Sequence, residues 1–98
     1  MEVEVDTVTG QVKVLRVVAV HDVGKVINKN GVVGQINGGV AQGIGWALYE
    51  NMVFDNGKPL TNSLKNYILM TIKDMPEIES VMVETNDPIG PFGAKGVG

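Results

Sequence analysis

The sequence predicts an α+β fold, with β-hairpin strands packed against one glycine-rich helix. Three observations carry this. Charged and apolar residues alternate through "EVEVD" (2–6) and nearly so through "QVKVLRVV" (11–18), the period-two signature of half-buried strands. Apolar residues then recur at Val33, Ile36, Val40, Ile44, Ala47 and Leu48, and spacings of three and four mark one stripe of a helix. A last alternating run, "IESVMVET" (78–85), follows Pro76 and reads as a closing strand, with Val81 and Val83 on one face.

The elements follow in order. "TVTG" joins the first two strands and places Gly10 where a tight connection needs a positive φ, so residues 2–18 read as a hairpin with one solvated and one buried face. At "RVVAV" (16–20) the second strand turns fully apolar, which predicts a deeper position in a sheet. "HDVGKVINKNG" (21–31) is a polar connection, and the helix is expected from about Val32 to Tyr49. Asn56-Gly57 is a type I′ hairpin signal, with strands near 50–54 and 58–60 and Pro59 at an edge. "TNSLKN" is a loop, and "YILMTIKDMPE" (67–77) is apolar enough for a short helix that Pro76 would stop. Residues 86–98 have no periodicity. The order β-β-α-β-β-(α)-β carries no repeat and no linker, so residues 1–98 read as a single unit.

Composition excludes several function classes. The eight Lys and Arg are scattered and the net charge is −3, against a nucleic-acid surface, which needs clustered basic residues. With no cysteine and a single histidine, His21, the segment offers no disulfide, no zinc–thiolate site and no catalytic triad of its own. No apolar run approaches a membrane span, and the acidic, alternating N-terminus is not a targeting peptide. A cytoplasmic protein is the expectation.

Glycine is the compositional anomaly. Of 13 glycines, five lie between Gly34 and Gly45 and four between Gly90 and Gly98. Four glycines inside a helix disfavour it by about 3–4 kcal/mol, so something should compensate. Gln35, Gly39, Gln42 and Trp46 share one face at spacings of 4, 3 and 4. The two amides stand about 10 Å apart along it and could receive a polar ligand over a bare glycine surface. Equally, the glycines could allow close packing on a sheet, with the glutamines in water. In the tail, Gly90, Gly93, Gly96 and Gly98 could turn backbone N–H groups toward one anion, with Lys95 adding charge. The order of residues is neither that of a phosphate loop nor that of a dinucleotide fingerprint. No residue pattern shows a reactive group.

Together, "VEVDTVTGQVKVLRVVAVHDVGKVIN", "GQINGGVAQGIGWALYE" and "GPFGAKGVG" resemble, in this order, the C-terminal part of the molybdopterin-binding subunit of the xanthine dehydrogenase and aldehyde oxidase family. That resemblance implies a piece of a larger molybdopterin-binding domain, in an enzyme that hydroxylates heterocycles or aldehydes with oxygen from water. It implies molybdenum carried by a pyranopterin, with or without a cytosine dinucleotide extension, and no protein ligand to the metal. It places Gln35 at the molybdenum centre or its pterin, Gln42 along the same border, and Gly93, Ala94, Lys95, Gly96, Val97 and Gly98 close to the pterin with their N–H groups facing it. The catalytic base is expected as a glutamate just after Gly98, so no catalytic residue is expected in this chain. The implied partners are the rest of the molybdenum subunit, iron–sulfur and FAD-bearing subunits or domains, and a small-molecule substrate. Alone, the chain is expected to bind no cofactor, to be inactive and to self-associate. Two positions depart from the family pattern: Lys29, where proline is frequent, and Asn37, where an acidic residue is usual. The alternatives are a stand-alone, non-catalytic interaction module and a small anion-binding protein.

Overall fold

A computed structural model describes residues 1–98. Strands β1 (Glu2–Val5) and β2 (Val12–Asp22) form the expected antiparallel hairpin, and Gly10 takes φ +76° at its turn. Glu2 pairs with Arg16 but Val3 with Val14, leaving Leu15 as an extra residue in β2. This bulge shifts the side-chain alternation, so Val14 and Val17 are both buried although three residues apart.

Helix α1 (Lys29–Leu48) starts three residues earlier than the apolar stripe suggests. Asn28 is the cause: its side-chain oxygen accepts from the Gly31 N–H at 3.0 Å and caps the first turn. Lys29 is then the first helical residue, the one helix position where proline is also well accommodated. Ile36 and Ile44 are buried, while Gln35, Gly39, Gln42 and Trp46 lie exposed on the other face as their spacing requires.

A short hairpin, β3 (Phe54–Asp55) and β4 (Lys58–Pro59), precedes the closing strand β5 (Glu77–Val83). β5 pairs in parallel with β2, from Arg16↔Glu77 to Asp22↔Val83, giving the sheet order β1-β2-β5. A parallel pair needs a long crossover, and α1 with the segment after it supplies one. Ile78, Ser80 and Met82 are the better buried face of β5, whereas Val81 and Val83 share the outer face with Glu77 and Glu79. Asn56 and Gly57 both take positive φ in the β3–β4 turn, as a type I′ turn demands. The apolar stretch 67–76 forms turns and no helix. Asp74 receives both the backbone N–H and the hydroxyl of Thr71, which closes a tight turn, and Pro76 prevents extension.

The core is small. Val14, Val17 and Ile44 form its centre, flanked by Val40, Tyr49 and Met70. The accessible surface is 7222 Å² and the radius of gyration 17.5 Å. A compact chain of this mass would show about 5,400 Å² and about 13 Å. Residues 51–74 contribute to this surface, with Leu64, Ile68 and Ile72 60–86% exposed. No helix is long and apolar enough to cross a membrane.

Candidate functional site

The site forms where the parallel strands β2 and β5 end. Past their last ladder pair, the Val23 N–H donates to the Val83 carbonyl at 3.0 Å, and the Lys95 N–H donates to the Val23 carbonyl at 2.9 Å. The tail thus continues the sheet edge for one residue and then crosses toward α1. Gly24 makes this approach feasible. It is buried with φ +65°, and a Cβ there would collide with the Gly93 carbonyl oxygen and lie 2.9 Å from the Lys95 nitrogen.

Side chains lock the same junction. The Asp22 carboxylate accepts from the Gly24 N–H at 3.0 Å, the Thr85 hydroxyl at 2.9 Å and the Lys95 ammonium at 2.5 Å. Lys95 also donates to the Thr85 hydroxyl oxygen at 3.1 Å. The Lys95 hydrogen bond, followed by those of Gly24 and Thr85, holds Asp22 at about 2, against 3.8 for an ordinary aspartate. Nearby, Glu84 accepts from the Val26 N–H at 2.7 Å and pairs with Lys25 at 3.4 Å. Its carboxyl is lowered first by that backbone bond and then by Lys25.

The loop before this junction is a self-contained turn. Asp87 accepts from the Ile89 and Gly90 N–H groups at 2.8 Å each, and its own N–H donates to the Gly93 carbonyl at 2.9 Å. Those two backbone bonds hold the Asp87 carboxyl below the usual range. The Gly93 N–H donates to Gly90 and the Ala94 N–H to Pro91, at 3.0 Å each. A Cβ on Gly90 would collide with the Ala94 carbonyl oxygen, and Gly93 takes φ +81°.

Five of the expected N–H donors are therefore engaged: those of Gly90, Gly93, Ala94 and Lys95, and the ammonium of Lys95. This narrows the expectation that the whole of 93–98, with the Lys95 charge, faces one ligand. The N–H groups of Gly96, Val97 and Gly98 make no hydrogen bond within the chain, and a Cβ on Gly96 or Gly98 would meet open space.

Gln35 is brought to this tail. Val23, Lys25, Gln35, Ala94, Lys95 and Val97 line one cleft of about 300 Å³ beside the start of α1. The Gly98 carbonyl oxygen lies 3.8 Å from where a Cβ of Gly39 would stand, so the tail crosses α1 at its glycine face. Gln42 is on the same face but belongs to a separate cleft with Trp46, Glu50 and Met70. Asn37 points away: its side-chain oxygen accepts from the Ser80 hydroxyl on β5 at 3.3 Å and does not hold Gln35. Neither glutamine amide is hydrogen-bonded within the chain, so both keep donors and an acceptor free.

The residues at hand suit a cofactor that brings its own metal ligands. No group of three His, Cys, Asp or Glu side chains could hold a metal ion. What the chain does offer is free backbone N–H groups at 96–98, a free carboxamide and a glycine surface without side chains. That donor set matches a pterin and the oxo ligands of a metal centre, which accept hydrogen bonds.

Comparison with known proteins identifies the family. The molybdopterin cofactor-binding domain family matches residues 1–76, and the chain belongs to that family. It is 37% identical over its whole length to the putative xanthine dehydrogenase molybdenum-binding subunit XdhA of Escherichia coli K12, covering 13% of that protein. It is 44% identical over 98% of its length to the nicotine 6-hydroxylase large subunit of Paenarthrobacter nicotinovorans, covering 12% of it. Among solved structures, quinoline 2-oxidoreductase of Pseudomonas putida 86 superposes with a TM-score of 0.91 at 41% identity, over 96% of this chain and 12% of that one. The chain thus spans about an eighth of the length of the relatives it matches.

Asp22, Gly24, Thr85 and Asp87 carry the junction, and sequence reasoning did not single them out. A signal was present in "HDVG": an aspartate two residues before a glycine favours an Asx turn into positive φ. The pairing of Asp22 with Lys95, 73 positions apart, depends on the parallel β2–β5 register and had no local signature.

Proposed function

We propose that this segment forms part of the cofactor-binding wall in the large subunit of a molybdenum hydroxylase. The observation that carries this reading is the meeting of Gln35 with the tail 94–98 across the glycine face of α1. Gln35 and the N–H groups of Gly96, Val97 and Gly98 bind and orient the pterin end of the cofactor. Gly38, with open space where a Cβ would stand, leaves room for it, and Gly39 lets the tail cross the helix. Gly93, Ala94 and Lys95 serve the site by fixing the loop, and Gln42 borders the cofactor further along the helix. When bound, the molybdenum–pyranopterin group supplies the two-electron oxidation that accompanies hydroxylation.

The segment does not supply the proton chemistry. The cleft at Gln35 is lined by no carboxylate, imidazole or thiol, so a general base must come from outside these residues. The family resemblance assigns that role to a glutamate directly following Gly98. The 98-residue chain by itself is inactive on this reading, and electrons leave through iron–sulfur and flavin partners. Substrate choice lies elsewhere, because the segment is shared by relatives whose names refer to xanthine, nicotine and quinoline.

The test is Gln35→Ala in the subunit that carries this segment. Loss of one hydrogen bond to a metal cofactor should lower retained molybdenum and pterin, or turnover, by about 10–100-fold. A Gln35→Ala subunit with full molybdenum, full pterin and unchanged turnover contradicts the reading.

A further inference from the structure

Asp22 sits where two independent chain segments must be held in register. It is the last residue of β2 and pairs with Val83, the last residue of β5, so its carboxylate stands at the carboxyl end of the parallel strands. Such ends are where open α/β sheets place their ligands. The carboxylate has three donors from three segments: Gly24 on the following turn, Thr85 just past β5, and Lys95 in the tail. Asp22 and Lys95 are 38% and 36% exposed. An isolated surface ion pair this exposed would contribute little. This one differs because it closes a network. The Lys95 backbone N–H is bonded to Val23 on the same turn, and the Gly24 backbone lies tight against Gly93 and Ala94.

We propose that Asp22 is a positioning residue: through Thr85 and Lys95 it fixes the tail at the end of the sheet and so sets where the free N–H groups of Gly96–Gly98 stand relative to Gln35. Lys95 on this account is a tether and gives its charge to Asp22. The inference rests on the cofactor reading only for its consequence, because the clamp itself involves residues of this chain alone.

The experiment is amide exchange and chemical-shift mapping by NMR on the 98-residue chain, at concentrations where sedimentation shows a folded monomer, comparing Lys95→Met, Lys95→Arg and Thr85→Val with wild type. A chain truncated after Lys95 serves as reference. Lys95→Met should speed exchange of the residue-95 amide about tenfold or more, because its bond to Val23 then stands alone. It should also move the Gly39 amide to its shift in the truncated chain. Amides of Val17 and Val81 in the sheet should keep their wild-type rates. Thr85→Val should give a smaller change of the same pattern, and Lys95→Arg should retain wild-type protection. Asp22→Asn added to Lys95→Met should change the tail no further. Unchanged exchange at residue 95 in Lys95→Met, or acceleration spread equally over the sheet, overturns the proposal. A Gln35→Ala subunit that keeps its cofactor would overturn the cofactor reading and leave this result standing.

Discussion

Glycines in this chain divide by what surrounds them. At Gly24 a side chain has nowhere to go: φ is +65° and the tail backbone occupies the Cβ position. Gly24→Ala should destabilise the chain by about 2–5 kcal/mol, combining left-handed strain with overpacking against backbone that cannot swing aside. Gly38 is the opposite case, helical with nothing within 4 Å of a Cβ. Gly38→Ala should stabilise the 98-residue chain by about 1 kcal/mol. Chemical denaturation of both variants checks the pair, and equal effects would contradict it. The helix penalty visible in the sequence is thus real, and for Gly34, Gly38 and Gly43 no contact inside this chain compensates it. On the cofactor reading, the compensation lies in what the helix face binds.

Among the elements, the decisive one is the pair of strand ends that carries the tail. Asp22 stays ionised in the folded chain down to about 2, whereas the unfolded chain protonates near 3.8. Its contribution is therefore complete above about pH 4 and is lost as the pH falls toward 2. Asp87 and Glu84 beside it are also held below their ordinary values, so they reinforce the same trend. Protection of the Lys95 amide should fall over that interval while the β1–β2 ladder persists, as read by exchange at a series of pH values. Protection constant from pH 5 to 2 would contradict this. The hairpin, the stripe on α1 and the Asn56-Gly57 turn were legible because each is written in neighbouring residues. Other features were not. The bulge at Leu15 and the parallel β2–β5 register are set by what each strand meets across the sheet. The short helix allowed at 67–76 fails because Thr71 and Asp74 close a turn locally. Gln35 and the tail, which meet in one cleft, were picked out through motif resemblance, and their role at a cofactor is the proposal. The clamp at Asp22 was hidden, since its partners are 63 and 73 positions away.

At the scale of the whole molecule, the chain exposes more surface than its mass requires. Leu64, Ile68, Ile72, Ile89 and Phe92 are 60–94% exposed, and on the proposed function they pack against the rest of the subunit. Concentrated solutions of the 98-residue chain should self-associate, seen as a weight-average mass that rises with concentration in sedimentation equilibrium. A concentration-independent monomer would favour a self-sufficient interaction module instead. On the proposed function this segment lines the molybdenum cofactor. The most direct measurement is an experimental structure of the cofactor-loaded subunit. The Gln35 amide and at least one N–H of Gly96–Gly98 should lie within about 3.2 Å of acceptor atoms of the pterin or the metal's ligands. Another polypeptide segment in that cleft, with the cofactor elsewhere, would contradict this role.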